Sequence, residues 1–267
     1  KLKALQWRIS AWKSALVEPH AALSLAGDDL GLAAARLYGD YEQALRAYQA
    51  VDFDDLIRLP VRLFESEADV LLRWQGKLQY LLVDEYQDTN RSQYRLLRLI
   101  AGERAAFTAV GDDDQAIYAW RGADVENLRV LQADFPQLKV IKLEQNYRSM
   151  QRILKAANAL IGNNQKLFEK RLWSEHGHGD AIQVNVARDN EQEAEQVVMK
   201  LMAHRFEHRG QWRDYAILYR GNHQARAFEQ QLRNQKISYA LSGGQSFFDK
   251  AEIKDLVAWL RLIANGD

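Results

Sequence analysis

Residues 80–90 constrain this chain more than any other stretch. The apolar run Tyr80-Leu81-Leu82-Val83 reads as a buried strand, and it stops abruptly at two carboxylates, Asp84 and Glu85. Gln87, Asp88, Thr89 and Asn90 follow, and Thr89 or Asn90 can cap a helix running through Tyr94, Leu97 and Ile100. The pattern recurs twice. Residues 106–110 lead into Gly111-Asp112-Asp113-Asp114-Gln115-Ala116-Ile117-Tyr118-Ala119-Trp120-Arg121-Gly122-Ala123, and residues 138–142 lead into Leu143-Glu144-Gln145-Asn146-Tyr147-Arg148-Ser149. Strands alternating with helices imply a parallel sheet covered by helices. In such sheets ligands bind beyond the carboxyl ends of the strands, where these acids fall. Adjacent acids there suit cation–phosphate chemistry, one holding a hydrated divalent ion and the next orienting or deprotonating a water.

The rest of the chain sets limits. Its 267 residues suffice for one large domain or two modest ones, and 47% hydrophobic residues can fill a core. Lys plus Arg and Asp plus Glu are both 36, so any nucleic-acid-binding surface must be local. The absence of cysteine excludes disulfides and thiolate metal sites and fits a cytoplasmic location. No apolar run nears the roughly 20 residues of a membrane helix, and no signal peptide is visible.

The opening is read as helical. Leu2, Leu5, Ile9, Trp12 and Leu16 share one face, Pro19 and Gly27 break the pattern, and a second helix over 32–50 has Leu37, Tyr41, Leu45 and Tyr48 as its stripe. A helix opens at Phe53-Asp54-Asp55. Beyond the third acid-tipped strand, helices are predicted over 151–161, 191–206, 223–234 and 252–264, and strands over 182–186, 215–219 and 237–241. The last helix places Ile253, Leu256, Leu260 and Ile263 on one side.

The three motif-bearing stretches resemble motifs II, III and IV of superfamily 1 DNA helicases of the UvrD/PcrA/Rep family, and the resemblance extends from about Val51 to the end. It implies an α/β fold made of parts of two RecA-like P-loop NTPase domains with helical subdomain insertions. Residues 1–50 would be the helical end of subdomain 1B, 51–141 the later part of domain 1A, 142–245 the first part of domain 2A, and 246–267 a helix leading into subdomain 2B. The phosphate loop G-x-x-x-x-G-K-[ST] does not occur, since Ser242-Gly243-Gly244-Gln245-Ser246 lacks the Lys at the required spacing. With Lys1 in place of an initiator Met, the chain is read as a piece of a longer enzyme, inactive alone.

The resemblance also implies roles. Asp84 would hold Mg²⁺ and Glu85 would activate the attacking water, against the plain reading of a strand ending in acids. Gln115 would touch the γ-phosphate of ATP and link hydrolysis to DNA. Tyr118, Trp120 and Arg121 would form a platform for single-stranded bases, worth about 1–3 kcal/mol per stacked base; the rival reading is two core aromatics. Phe53 would join them or act as a helix-start staple. Tyr147 would stack on adenine and Arg148 would reach the γ-phosphate, unless this is only a helix start capped by Ser149. Asp112, Asp113 and Asp114 are for the most part read as helix caps, salt bridges and exposed loop, His176 and His178 as loop residues, and Lys166, Lys170 and Arg171 as a solvated basic face unless they meet DNA phosphate. The implied activity is ATP-driven, 3′-to-5′ translocation on single-stranded DNA and unwinding of fork or partial-duplex DNA, with replisome or repair proteins as partners and no membrane. The alternatives are a metal-dependent nuclease built on these acids and a non-catalytic DNA-binding module.

Overall fold

The structure, a computed structural model, describes residues 2–242 and 251–264, which fall into two compact units, 1–181 and 182–267. The end of the Gly-rich stretch, from Gly243 onward, and the start of the 246–267 segment lie outside the described residues.

The first unit opens with three packed helices: α1 (Leu2–Ser14), α2 (Pro19–Leu25) and α3 (Asp29–Ala47). Pro19 starts a helix here, for its missing N–H falls where a first-turn amide has no intrahelical partner. Asp28 caps α3 by accepting from the Gly31 N–H at 2.6 Å. Ile9, Trp12, Ala22, Ala34, Ala35 and Tyr38 form the core of this bundle. The stripe expected on α3 is therefore displaced. Leu37 and Tyr48 are exposed, and Ala34, Ala35, Tyr38 and Glu42 face inward. Small residues let the backbones approach, and Glu42 turns inward because two cations meet it there.

Next come α4 (Asp55–Ser66), α5 (Ala68–Lys77) and β1 (Leu81–Val83). A turn over Tyr86–Asp88 leads to α6 (Arg91–Ala101), which Asn90 opens with a full capping box to Gln93. β2 (Phe107–Ala109) pairs with β1 in parallel, Leu81 opposite Phe107 and Val83 opposite Ala109. Tyr86, Tyr94, Leu97, Ala101, Phe107 and Leu131 form the core around this pair, Leu131 coming from α7 (Glu126–Asp134). β1 is not the buried strand expected over 80–83: Tyr80 and Leu82 are 57% and 81% exposed and Leu81 and Val83 half-buried, because the strand pairs on one side and its outer side is open.

Residues 138–142 do not form the expected third strand. The chain pairs just beyond them, through an isolated parallel bridge of Gln145 with Trp173, and then enters α8 (Gln151–Ile161). Ser149 does not cap α8, whose N-cap is Met150. The first N–H groups of α8, from Gln151 and Arg152, donate instead to the carbonyls of Gly177 and His178, both at 3.2 Å.

The second unit holds α9 (Asn190–His208), capped by Asp189, then α10 (Ala225–Asn234) and α11 (Ala251–Ala264). Val198, Leu232 and Ile237 are its core, with Met202, Trp212, Ile217 and Tyr239 against them. The expected strands at 182–186, 215–219 and 237–241 are not formed: among the described residues no ladder joins them, and Val184, Val186 and Leu218 are exposed. Alternation marks a segment able to pair, but pairing needs a neighbour with free backbone groups. On α11, Leu256, Leu260 and Ile263 share the expected side and all three are exposed.

Candidate functional site

The two loops that leave β1 and β2 are tied together by one side chain. The ladder continues past the strands, with the Val110 N–H donating to Val83 O at 2.8 Å and the Tyr86 N–H to Val110 O at 2.9 Å. The chain then turns sharply, and Glu85 takes a left-handed backbone conformation, φ 49° and ψ 44°, uncommon for a residue with a Cβ. Asp84 steadies this turn by accepting the Glu85 N–H on Oδ1 at 2.9 Å. Gln87 is buried at 2% exposure. Its Nε2 donates to Glu85 Oε2 at 2.7 Å, and its Oε1 accepts the Asp112 N–H at 2.9 Å. Gly111 leaves the space this requires, because a Cβ there would lie 2.9 Å from Gln87 Oε1 and 3.3 Å from Tyr86 Cβ. Asp112 in turn accepts from Gln115 Nε2 at 2.7 Å. Asp84, Glu85 and Gln115 all remain exposed, so they are available to a ligand.

The three aspartates after Gly111 bring their oxygens within 4.8 Å of one another, a spacing that a cation could bridge. A side-chain ammonium fills that place. Lys170 Nζ lies 2.5 Å from Asp112 and 3.2 Å from Asp114 and also binds Asp113, whose other oxygen accepts the N–H groups of Leu167 and Phe168. Burial pushes the Asp112 and Asp113 carboxyls up, but hydrogen bonds and charge from Lys170 outweigh it and hold both below the ordinary carboxylate range. Burial likewise opposes the Lys170 charge, and the two carboxylates outweigh it. Lys170 is thus no member of a solvated basic face; the caps and salt bridges expected of these acids are present, with Asp112 Oδ1 also accepting from the Asp114 N–H, but the expected exposed loop is not, because Lys170 covers all three.

Beyond Gln115 the chain does not alternate as a strand. It makes a tight turn over Ala119–Arg121, closed by Gly122 at φ +92°. The turn still brings Tyr118 and Trp120 together, ring centroids 6.3 Å apart, with the Arg121 guanidinium 5.5 and 5.6 Å from the two rings. Trp120 is 74% exposed, so it is not a core residue. Phe53 is 90% exposed and staples nothing. Ser14 lies between these features: its Oγ donates to Asp54 at 3.2 Å, and its Cβ stands 3.9 Å from where a Cβ on Gly122 would be.

The Tyr147–Arg148 segment is held from below. Asn146 Oδ1 accepts the N–H groups of Arg148 and Ser149 at 3.0 and 2.8 Å, and Tyr147 O meets His176 Nε2 at 2.9 Å. Tyr147 is 76% exposed and both side chains project outward.

Sequence reasoning missed a buried ionic cluster beside Phe53. The fully buried Lys13 ammonium touches Asp52 at 2.7 Å, Glu42 at 2.8 Å and Asp55 at 2.9 Å. Arg58, equally buried, binds Glu42 and, at 3.0 Å, Asp55. Asp52 also accepts from the Tyr41 hydroxyl and the Asp55 N–H, both at 2.9 Å. Burial, helped by that bond to Asp52, pushes the Tyr41 hydroxyl up to about 12. The only signal was Asp55 and Arg58 one helical turn apart on a face that also holds Val61 and Phe64.

Known proteins resemble this chain along its whole length. The UvrD/REP helicase N-terminal domain matches residues 1–136, and the UvrD-like helicase C-terminal domain matches residues 141–267. ATP-dependent DNA helicase Rep of Escherichia coli (strain K12) is 55% identical over 266 residues, which is 100% of this chain and 40% of the relative. The Rep helicase of Salmonella typhimurium is 54% identical over the same shares, and ATP-dependent DNA helicase PcrA of Staphylococcus epidermidis is 43% identical over 97% of this chain and 35% of its own. The chain spans about 40% of the length of the Rep relatives it matches. It belongs to the UvrD/REP helicase family.

Proposed function

We propose that this chain is part of an ATP-dependent DNA helicase that translocates 3′-to-5′ on single-stranded DNA and opens fork or partial-duplex DNA in replication or repair. It would work in the cytoplasm beside replisome or repair proteins. Residues 1–50 are assigned to the end of subdomain 1B, 51–141 and 142–245 to parts of two RecA-like domains, and 246–267 to the entry into subdomain 2B.

The observation that carries this reading is the tie made by Gln87. It joins Glu85 to Asp112, Asp112 holds Gln115, and three residues on the exposed Tyr118, Trp120 and Arg121 begin. A carboxylate suited to water activation is bonded through Gln87 and Asp112 to Gln115, three residues before a platform suited to stacked bases. Bound Mg²⁺–ATP would supply the phosphoanhydride whose cleavage drives movement. The exposed pair at the carboxyl end of β1 fits that group, with Asp84 holding the cation and Glu85 taking the proton from the water. Gln115 offers an amide to the terminal phosphate, and Arg148 offers a guanidinium to the charge that grows there. Tyr147 gives an aromatic face to the adenine. Tyr118, Trp120, Arg121 and Phe53 grip bases by stacking, which does not depend on sequence.

The nuclease alternative is weaker, because the Lys170 ammonium already occupies the space between the aspartates it would need. The complete protein, given forked duplexes with a 3′ or a 5′ tail, is expected to separate the 3′-tailed substrate only with ATP. Strand cutting by Mg²⁺ or Mn²⁺ without nucleotide would contradict the proposal.

A further inference from the structure

The Lys170 ammonium does more than neutralise acids, because the segment that bears it is bonded on two sides. On one side it meets the loop after β2, through Asp112 and Asp113. On the other, the Arg171 N–H donates to Glu144 Oε1 at 2.7 Å and the Trp173 N–H to Glu144 O at 3.0 Å. The Asn146 N–H returns a bond to Trp173 O at 2.7 Å, and Asn146 holds the Arg148 N–H. Lys142 Nζ adds a bond to Glu169 O at 2.5 Å. A continuous path of short contacts therefore joins Glu85 to Arg148 by way of Gln87, Asp112 and Lys170. Every link in it is a side chain or backbone group of the first compact unit.

We propose that Lys170 is a positioning residue that sets the register between the Glu85 loop and the Tyr147–Arg148 segment. The proposal rests on the helicase reading of those two segments. Among the path's side chains, Lys170 alone joins residues 111–115 to residues 166–173 by charge, and it sits 18% exposed among three carboxylates. Without the ammonium, three carboxylates that lie close together would repel one another, and the loop holding Gln87 and Gln115 would lose its counter-charge. The segment carrying Lys170 would at the same time lose its ionic tie to Asp112 and Asp113 and keep the bonds of Leu167 and Phe168 N–H to Asp113.

The test uses the complete protein with Lys170→Met, Lys170→Arg and Glu85→Gln in parallel. Lys170→Met is expected to lower DNA-stimulated kcat by about tenfold with KM for ATP changed less than about twofold, since misplacement acts on the reacting geometry. Lys170→Arg keeps the charge and is expected to recover most of kcat. Unchanged kcat in Lys170→Met beside an inactive Glu85→Gln would overturn the proposal and leave the helicase reading standing. Retained turnover in Glu85→Gln would overturn both. Should Lys170→Met fail to fold, Lys170→Gln is read by the same criterion, and failure of both to fold would make Lys170 purely structural and overturn the proposal.

Discussion

Gln87 Nε2 sits 2.7 Å from Glu85 Oε2, and the same carboxamide accepts the Asp112 N–H. One buried amide thus aims the carboxylate assigned to water activation and fixes the loop that carries Gln115. Gln87→Met would leave the Asp112 N–H without an acceptor, at a cost of about 1–3 kcal/mol. A lower melting temperature together with a loss of kcat is expected in the complete protein. A melting curve and turnover both equal to wild type would show the amide to be incidental.

Trp120 offers its face to solvent with Arg121 alongside. Replacing it with Ala should weaken binding to oligo-dT by about 1–3 kcal/mol. Fluorescence anisotropy measures this directly, and a mixed-sequence strand should lose as much as oligo-dT. Equal affinity in the variant would remove Trp120 from the platform.

The Lys13 cluster makes a stability prediction. Lys13→Met leaves Glu42, Asp52 and Asp55 facing one another with only Arg58 to balance them, and should destabilise by about 3–5 kcal/mol. The pH dependence has a definite sign. Burial opposes the charge on Glu42 and Asp52, but bonds to the buried cations, chiefly from Lys13, outweigh it and depress both carboxyls. Depressed carboxyls contribute stability above the unfolded range near 4, and that stability is lost as pH falls through the lower folded values. Lys13 is raised, despite burial, by bonds to Asp52, Glu42 and Asp55, so its contribution is present below about pH 10 and lost only above it. Thermal melts from pH 7 to 2 should fall steeply in the wild type and more gently in Lys13→Met. Parallel curves would contradict the assignment.

Arg148 projects from a backbone pinned by Asn146. Arg148→Ala should lower kcat by on the order of 10³ while changing ATP affinity little, as expected for a guanidinium that acts on transition-state charge. Fluorescent-nucleotide binding and steady-state turnover separate the two effects. A loss of affinity alone would assign Arg148 to ground-state binding.

What was legible in the sequence was local. Tyr80 to Val83 announces a strand by its apolar run, and Thr89 and Asn90 announce a helix start, which the structure places at Asn90 through a capping box with Gln93. The motif residues could be named because their order is local too. Lys13 and Lys170 were not legible, because a lysine reads as solvated until a partner distant in sequence is known. The inward stripe of α3 was missed for the same reason: Glu42 faces inward only because Lys13 and Arg58 wait there. Residues 182–186 alternate and residues 215–219 are an unbroken apolar run, yet strand pairing depends on a neighbour that neither pattern specifies.

In the proposed mechanism Glu85 drives hydrolysis coupled to DNA held at Trp120. The most direct measurement is ATPase activity of the complete protein, with and without oligo-dT, beside Glu85→Gln. Strong stimulation by DNA is expected in the wild type and none in the variant, with nucleotide and DNA binding retained in both. DNA binding without hydrolysis in the wild type, or near-normal hydrolysis in Glu85→Gln, would contradict that mechanism.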